Sequence, residues 1–440
     1  KILSPSKTRA YEPQIKVANK SMYQPIPVVN IYYRGLGAKR LIGQLTMNGR
    51  RPVFGYDAAW ITNGLELSPI EMPLRAAPYY GTHASSHYLC GLLSDSLPDG
   101  WGILLMDRFF RKTLSNAASI NVLDRLAYIG DSAMGALSFE PQHDLSADTI
   151  DTNELTLAKL AAANQTILSG QDIDILAELI VIGGSPQGAR PKALVLYNDT
   201  SNFITSNLTS ENPSATPWLI KFPAQSEHKS VCLLESLYAD MAKQADLGMP
   251  AHHYFDIDNK YAAFGVERFD RIGNKRIHIH TLAGLLDIDF RTPSLDYLQY
   301  LRCIRMLTQS QVAVEDGFRH AVFNVIFNNK DDHSKNFSFM MDEAGRWSLS
   351  PVYDIAYNSG MNGYHQMDVA GEARYPTLPH LLKLAKLADI KQNKAKSIID
   401  QVVSVAEGFL TVINNYDIEK ELSNQVIHDI KANIKRMVNR

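Results

Sequence analysis

Cysteine is scarce in this 440-residue chain: only Cys90, Cys232 and Cys303 occur, an odd number at wide spacing. Such a set forms neither a disulfide framework nor a zinc knuckle and suits a reducing compartment, so three free, mostly buried thiols are expected. Also missing are uninterrupted apolar runs of roughly 18 to 20 residues, which a membrane-spanning helix requires. The stretch from Lys1 to Lys20 lacks the apolar core of a secretory signal. The expectation is a soluble, cytoplasmic protein with no membrane partner. Charge of one sign is absent as well. Forty-four Lys and Arg stand against 46 Asp and Glu, a net charge of -2. That balance excludes a surface built throughout to grip phosphate backbones, while leaving room for a local basic patch. No internal repeat and no low-complexity tract is visible.

What is present is a composition for burial: 45% hydrophobic and 20% charged residues exclude disorder as the main state, and the length suits two or three domains. From Pro27 to about Phe139 short β-rich runs such as Val28–Tyr33 are broken by Gly, Asn and Pro, with a helix expected between Trp101 and Lys112. The polar segment from Gln142 to Asn153 marks a boundary, followed by a helix carrying Leu155, Leu157, Leu160 and Ala161. Strands are expected at Leu179–Ile182, Ala193–Tyr197, Trp218–Phe222 and Tyr261–Val266, with a helix at Val231–Ala245. Beyond Thr292 the helical period takes over, ending in the stripes Ile398, Val402, Val405, Phe409, Val412 and Val426, Ile430, Ile434, Met437. The expected division is a β-rich subdomain over 24–150, an α+β lobe over 151–272 and a helical lobe over 273–440.

The densest candidate for chemistry is the polar loop Asn328 to Asn336, held between a helix and a strand. Asp331 and Asn336 have the spacing of the protein-kinase catalytic loop, in which the Asp accepts a hydroxyl proton and the Asn amide ligates magnesium. A hairpin of Phe337–Met341, a turn at Asp342–Arg346, and Trp347–Leu349 would bring Asp354 back beside Asn336 as a second oxygen ligand for Mg²⁺. Upstream, Gly183, Gly184 and Gly188 free backbone amides to approach phosphate oxygens. The segment matches neither G-x-x-x-x-G-K-[ST] nor G-x-G-x-x-G. Lys221 is one cation inside the apolar run Trp218–Phe222, so it lies at a sheet rim or pairs with phosphate or carboxylate, and Glu235 on the next helix is a possible partner. Period-2 alternation puts His278 and His280 on one strand face, where they could hold a transition metal, although no third ligand is evident nearby.

This ordered set resembles the HipA-type serine/threonine kinases, the toxin half of bacterial toxin–antitoxin pairs. The stretches Asp95–Gly102 and Ile129–Ala136 look like the family's N-terminal signatures. Ser185 to Lys192 looks like its S-x-x-G-x-x-x-K loop, and Asp331–Ser338 with Tyr353-Asp354-Ile355 like its catalytic and metal segments. The resemblance implies an α+β, bilobal protein-kinase-like fold with a β-rich N-terminal subdomain and a mostly helical C-terminal lobe. It implies ATP and Mg²⁺ as cofactors, with Asp331 as catalytic base and Asn336 and Asp354 as metal ligands. Gln187, Gly188 and Lys221 would face the phosphates, Glu267 and Phe269 would offer adenine-side backbone contacts, and His333 and Tyr353 would line the nucleotide pocket. Ser185 would be autophosphorylated, its added charge repelling the ATP phosphates. The implied partners are a HipB-type helix-turn-helix antitoxin, operator DNA through that antitoxin, and a protein substrate of the translation machinery such as glutamyl-tRNA synthetase. The chain departs from the family pattern at Asp332, where Gly is usual, and at Pro186 and Pro191, which remove two amide donors.

Two other readings use the same residues. One is a catalytically inactive kinase-fold co-repressor scaffold. The other is a metal-dependent phosphohydrolase with Asp331, Asp332 and His333 as ligands, joined by His278 and His280.

Overall fold

The computed structural model describes residues 23–114, 116–142, 156–171, 179, 183, 188–201, 203–205 and 214–438. The expected boundary segment falls largely outside these residues, as do Ser185, Pro186 and Gln187.

The N-terminal region builds a four-stranded antiparallel sheet in the order β3-β2-β1-β4, from Val28–Tyr33 (β1), Arg40–Asn48 (β2), Arg51–Tyr56 (β3) and Leu137–Glu140 (β4). Alternation along β1 buries Val29, Ile31 and Tyr33, the pattern of a strand with one face on a core. Besides the short helices Ala58–Asn63 and Gly91–Ser94, two longer ones lie between β3 and β4: Gly100–Thr113 (α1) and Val122–Ile129 (α2), the latter closed by a reciprocal Asn121/Asp124 capping box.

The next sheet has five strands in the order β6-β5-β7-β9-β8, all antiparallel. They are Lys192–Asn198 (β5), Phe203–Thr205 (β6), Thr216–Lys221 (β7), His252–Asp256 (β8) and Ala262–Glu267 (β9). Helix Leu157–Leu168 (α3) precedes this sheet, and Ser230–Gln244 (α4) is inserted between β7 and β8. One expectation fails here: Leu179, the described residue of the stretch expected as a strand, is helical and buried. A short apolar run has no periodicity of its own to separate a strand from a buried helical turn.

A third sheet joins His278–Thr281 (β10), Ser338–Met341 (β11) and Trp347–Leu349 (β12), so the hairpin expected after the polar loop forms. The remainder is helical: Tyr297–Thr308 (α5), Gln311–Ile326 (α6), Leu378–Leu387 (α7), Gln392–Val412 (α8) and Lys420–Val438 (α9). Helix α8 is long and apolar enough by composition to cross a membrane. Its apolar stripe, Ala395, Ile398, Val402, Ala406 and Phe409, is nevertheless buried against neighbouring helices in the core of this lobe.

The two principal cores cross these sheets. One runs from β1 and α1 through α3 to Val195, Trp218 and Ile220 of the five-stranded sheet. The other joins Leu234, Leu237, Tyr238 and Met241 of α4 to the C-terminal helices. The chain has an α+β fold with a β-rich N-terminal region and a mostly helical C-terminal lobe. All three cysteines are free and buried.

Candidate active site

Helix α6 delivers the polar loop into the cleft, and short-range bonds fix its course. Asn328 takes a left-handed turn at φ 56°, a conformation that Asn tolerates. The Asn329 side chain donates to Asn324 Oδ1 at 3.0 Å, and a pair of backbone bonds ties Asn328 and Lys330 to Asn358. Asn336 Nδ2 donates to the Asp331 carbonyl at 2.7 Å, which turns the amide oxygen away from that contact. Tyr353 Oη donates to the Lys335 carbonyl at 2.6 Å and meets Ser338 Oγ at 2.5 Å, so the segment leading to Asp354 is bolted to the same loop. Asp354 itself is left-handed, φ 51°.

Asp354 accepts from Lys221 Nζ, which also donates to Glu235 Oε1 at 2.7 Å. Lys221 is therefore buried and paired, as the apolar run around it requires. Burial pulls its ammonium pKa down, but Asp354 and Glu235 outweigh that and raise it. Conversely, burial alone would raise Asp354, and the Lys221 and Lys192 ammoniums hold it well below the usual carboxylate range. Glu235 is shared with Arg190, 3.4 Å away, and Arg190 also pairs with Glu227 at 2.7 Å. Directly opposite Lys221 in the β5–β7 register stands Lys192. Burial lowers its pKa to about 8, with Lys221 adding to the fall and Asp354 opposing it.

These residues enclose a cavity of about 720 Å³ between the lobes. Its walls include Gly188, Lys221, Glu267, Phe269, Asp331, His333, Asn336, Tyr353 and Asp354, all the described residues expected at the site. Gln187 and Ser185 lie outside the described residues. Phe269 and Tyr353 face each other with ring centroids 5.8 Å apart. The Glu267 amide already donates to the Ala251 carbonyl at 2.8 Å, so that N–H is not available to a ligand and only its carbonyl could serve. Asp331 is half-exposed, with one carboxylate oxygen 3.8 Å from His333 Nε2. Its pKa is raised by burial, with Asp354 and Asp332 adding and His333 and Arg190 opposing.

Two sequence readings are corrected. Asp332 does not face the cavity. It is fully buried, accepting from Tyr297 Oη at 2.6 Å, His365 Nδ1 at 2.8 Å and the Gln366 amide at 2.7 Å. Its departure from Gly thus adds an anchor behind the loop and puts no second carboxylate into the cleft. His278 and His280 are buried and engaged: His278 Nε2 with the Leu67 carbonyl at 2.8 Å, and His280 with Asp95 at 2.6 Å and Ser68 at 2.9 Å. Among the described residues no three His, Cys, Asp or Glu side chains gather as a metal cluster, so the phosphohydrolase ligand set is not assembled.

The N-terminal signatures turn out to be clamps. Asp95 accepts from the Thr281 amide and hydroxyl, both at 2.7 Å, besides His280. Asp131 pairs with Arg34 and Arg276, and Asp270 binds the Gly135 amide together with Arg268 and Arg271. Arg190, Glu227 and Asp99 also line the cavity, and sequence reasoning gave them no role. The one signal for them was their place inside or beside the motif stretches.

A family model described as the HipA-like C-terminal domain matches residues 184–408, about half of the chain, and one described as the HipA N-terminal domain matches residues 34–140. The chain belongs to the HipA family. A protein of Sinorhizobium fredii described as a putative kinase is 23% identical, over 75% of this chain and 77% of its own length. The serine/threonine-protein kinase toxin HipA of Shewanella oneidensis is 23% identical, over 72% of each. A putative kinase of Haemophilus influenzae is 24% identical over 39% of this chain, which spans about half (52%) of that relative's length. The solved HipA, HipB and operator DNA complex from Shewanella oneidensis contains a chain that superposes with a TM-score of 0.66 at 18% identity, covering 93% of this chain and 97% of that one. This HipA-family chain therefore shares that fold.

The residues present fit a magnesium nucleotide. Three buried polar atoms of cavity-lining residues, His278 Nδ1, Asn329 Oδ1 and His333 Nδ1, have no hydrogen-bond partner among the described residues. Mg²⁺ keeps several waters and takes one or two protein carboxylate or amide oxygens plus phosphates, which is what Asp354 and Asn336 can offer.

Proposed function

We propose that this chain is a Mg·ATP-dependent protein serine/threonine kinase that acts as the toxin of a toxin–antitoxin pair in the cytoplasm. The observation that carries the reading is the convergence of Asp331, Asn336, Asp354 and the Lys221–Glu235 pair on one cavity of nucleotide size. A scaffold has no use for all five together on one cavity wall.

In this mechanism Lys221, held in place by Glu235, meets the nucleotide phosphates, and Phe269 and Tyr353 flank the base. Asn336 and Asp354 would hold Mg²⁺, which supplies charge neutralisation on the phosphates when bound. Asp331 orients the acceptor hydroxyl and takes its proton at a carboxylate oxygen. Its pKa, raised by burial, makes it a better proton acceptor than an ordinary carboxylate. The fixed loop supplies the positioning that in-line transfer needs, through bonds already made before substrate arrives.

By family membership, the acceptor is a protein of the translation machinery such as glutamyl-tRNA synthetase, and Ser185 is the site of self-inactivation. A HipB-type antitoxin would neutralise the chain and carry it to operator DNA. The chain's charge of -2 suits contact with DNA through a partner.

Thermal unfolding with and without Mg·ATP tests the reading against an inactive scaffold. A kinase gains several degrees at saturating nucleotide, and the gain disappears when Mg²⁺ is chelated. A wild-type protein with no Mg-dependent shift contradicts the assignment.

A further inference from the structure

We propose that Asp99, supplied by the N-terminal region, is a positioning residue of the nucleotide site: it fixes the backbone at Gly188 and joins it to the catalytic loop through Lys335. This rests on the reading of the cleft as a Mg·ATP site.

Asp99 stands at the N-cap of α1, where a carboxylate ordinarily accepts amides of its own helix. Here it makes no capping bond at all. One of its oxygens instead accepts from the Gly188 amide, and the other lies 3.5 Å from Lys335 Nζ. The clasp is two-sided, because the Gly188 carbonyl accepts from the Trp101 amide at 3.1 Å. Gly100 makes the approach possible. It has φ 40°, and a Cβ there would lie 2.6 Å from Ala189 Cα. Gly188 has φ 103°, a conformation that residues with a Cβ rarely adopt.

The Asp99–Lys335 pair is only 14% and 11% exposed, so water screens it little. Lys335 also lies 4.6 Å over the Phe290 ring, and Asn336, the next residue, is a cavity-wall residue. One carboxylate thus spans the backbone at Gly188 and the loop that carries Asp331. A helix gives up its own cap for this contact, which a purely local role would not require.

The test uses the full chain as wild type, Asp99→Ala, Asp99→Asn and Asp57→Ala. Asp57 caps a different helix of the same region through the Ala59 amide and lies outside the cavity. Two readouts are taken: hydrogen exchange at the Gly188 amide without nucleotide, and Mg·ATP affinity by calorimetry. Losing a charge-assisted bond to that amide should speed its exchange in Asp99→Ala by roughly tenfold or more and raise the Mg·ATP Kd by a similar factor. Asp99→Asn keeps an acceptor but loses the charge facing Lys335, so it falls between, and it replaces the alanine variant if that one does not fold. Asp57→Ala should leave both readouts unchanged. The proposal is overturned if Asp99 variants match wild type in either readout, or if Asp57→Ala reproduces their effect. A wild type without Mg·ATP affinity overturns the kinase reading and the nucleotide role together. The Gly188 exchange then still reports whether the clasp itself exists, which separates the two failures.

Discussion

The loop Asn328 to Asn336 and the strand His278–Thr281 are two segments that the sequence offers as candidate chemical sites, and the structure makes them neighbours. The strand pairs with Ser338–Met341, which directly follows the loop. Their fates are opposite. The loop leaves Asp331 half-exposed at a cavity, with unpartnered polar atoms beside it. The strand puts both histidine rings inside the protein, where Leu67, Ser68 and Asp95 from the N-terminal region bind three of their four ring nitrogens, His278 Nδ1 alone having no partner among the described residues. Density of ionisable groups in a sequence does not separate a reactive site from a polar joint. What separates them is whether the partners are already in place.

That contrast can be broken by substitution. The largest effect belongs to the cleft: Lys221→Met takes the nearest cation from both Asp354 and buried Glu235, leaving Glu235 only Arg190 at 3.4 Å, and should lower unfolding stability by roughly 3–5 kcal/mol while abolishing measurable Mg·ATP binding. Urea unfolding and calorimetry read the two losses, and retained affinity would remove Lys221 from the site. On the strand, His280→Ala should cost about 2–3 kcal/mol by leaving Asp95 and Ser68 without their partner. Its Mg·ATP affinity, measured well below the unfolding transition, should stay within about threefold of wild type. An affinity loss as large as that of Lys221→Met would erase the distinction between joint and site.

A smaller effect sharpens the comparison through pH. Lys192 titrates at about 8 because burial disfavours its charged form. It therefore carries its proton below that pH and loses it above, so an attraction for phosphate is present at neutral pH and fades as pH rises through about 8. Mg·ATP affinity should fall severalfold between pH 7 and 9 in the wild type and hardly at all in Lys192→Arg. Identical profiles would mean that Lys192 does not meet the phosphates.

Much of this was legible in the sequence, for reasons of range. Asp331, Asn336 and Asp354 are joined by a short loop and a hairpin, so spacing alone brings them together. Glu235 sits on the helix after Lys221, and the apolar run around the lysine left a carboxylate as one of its possible partners. The illegible parts depend on distant partners. Whether Asp332 points into the cleft or behind it is settled by Tyr297 and His365, and adjacent residues on an irregular loop have no periodicity to tell them apart. The burial of His280 is settled by Asp95, 185 positions away in sequence. Asp99 has no sequence signal beyond its place in the Asp95–Gly102 stretch, and its role depends on Gly188, which belongs to another sheet's approach.

The most direct measurement is intact mass of unphosphorylated wild-type and Asp331→Ala chains after incubation with Mg·ATP, with the modified peptide located by fragmentation. This account predicts about one added phosphate in the wild type, on Ser185, and none in Asp331→Ala, whose unfolding transition stays near that of wild type. Equal phosphate incorporation in both proteins would contradict the assignment of Asp331 as the catalytic base.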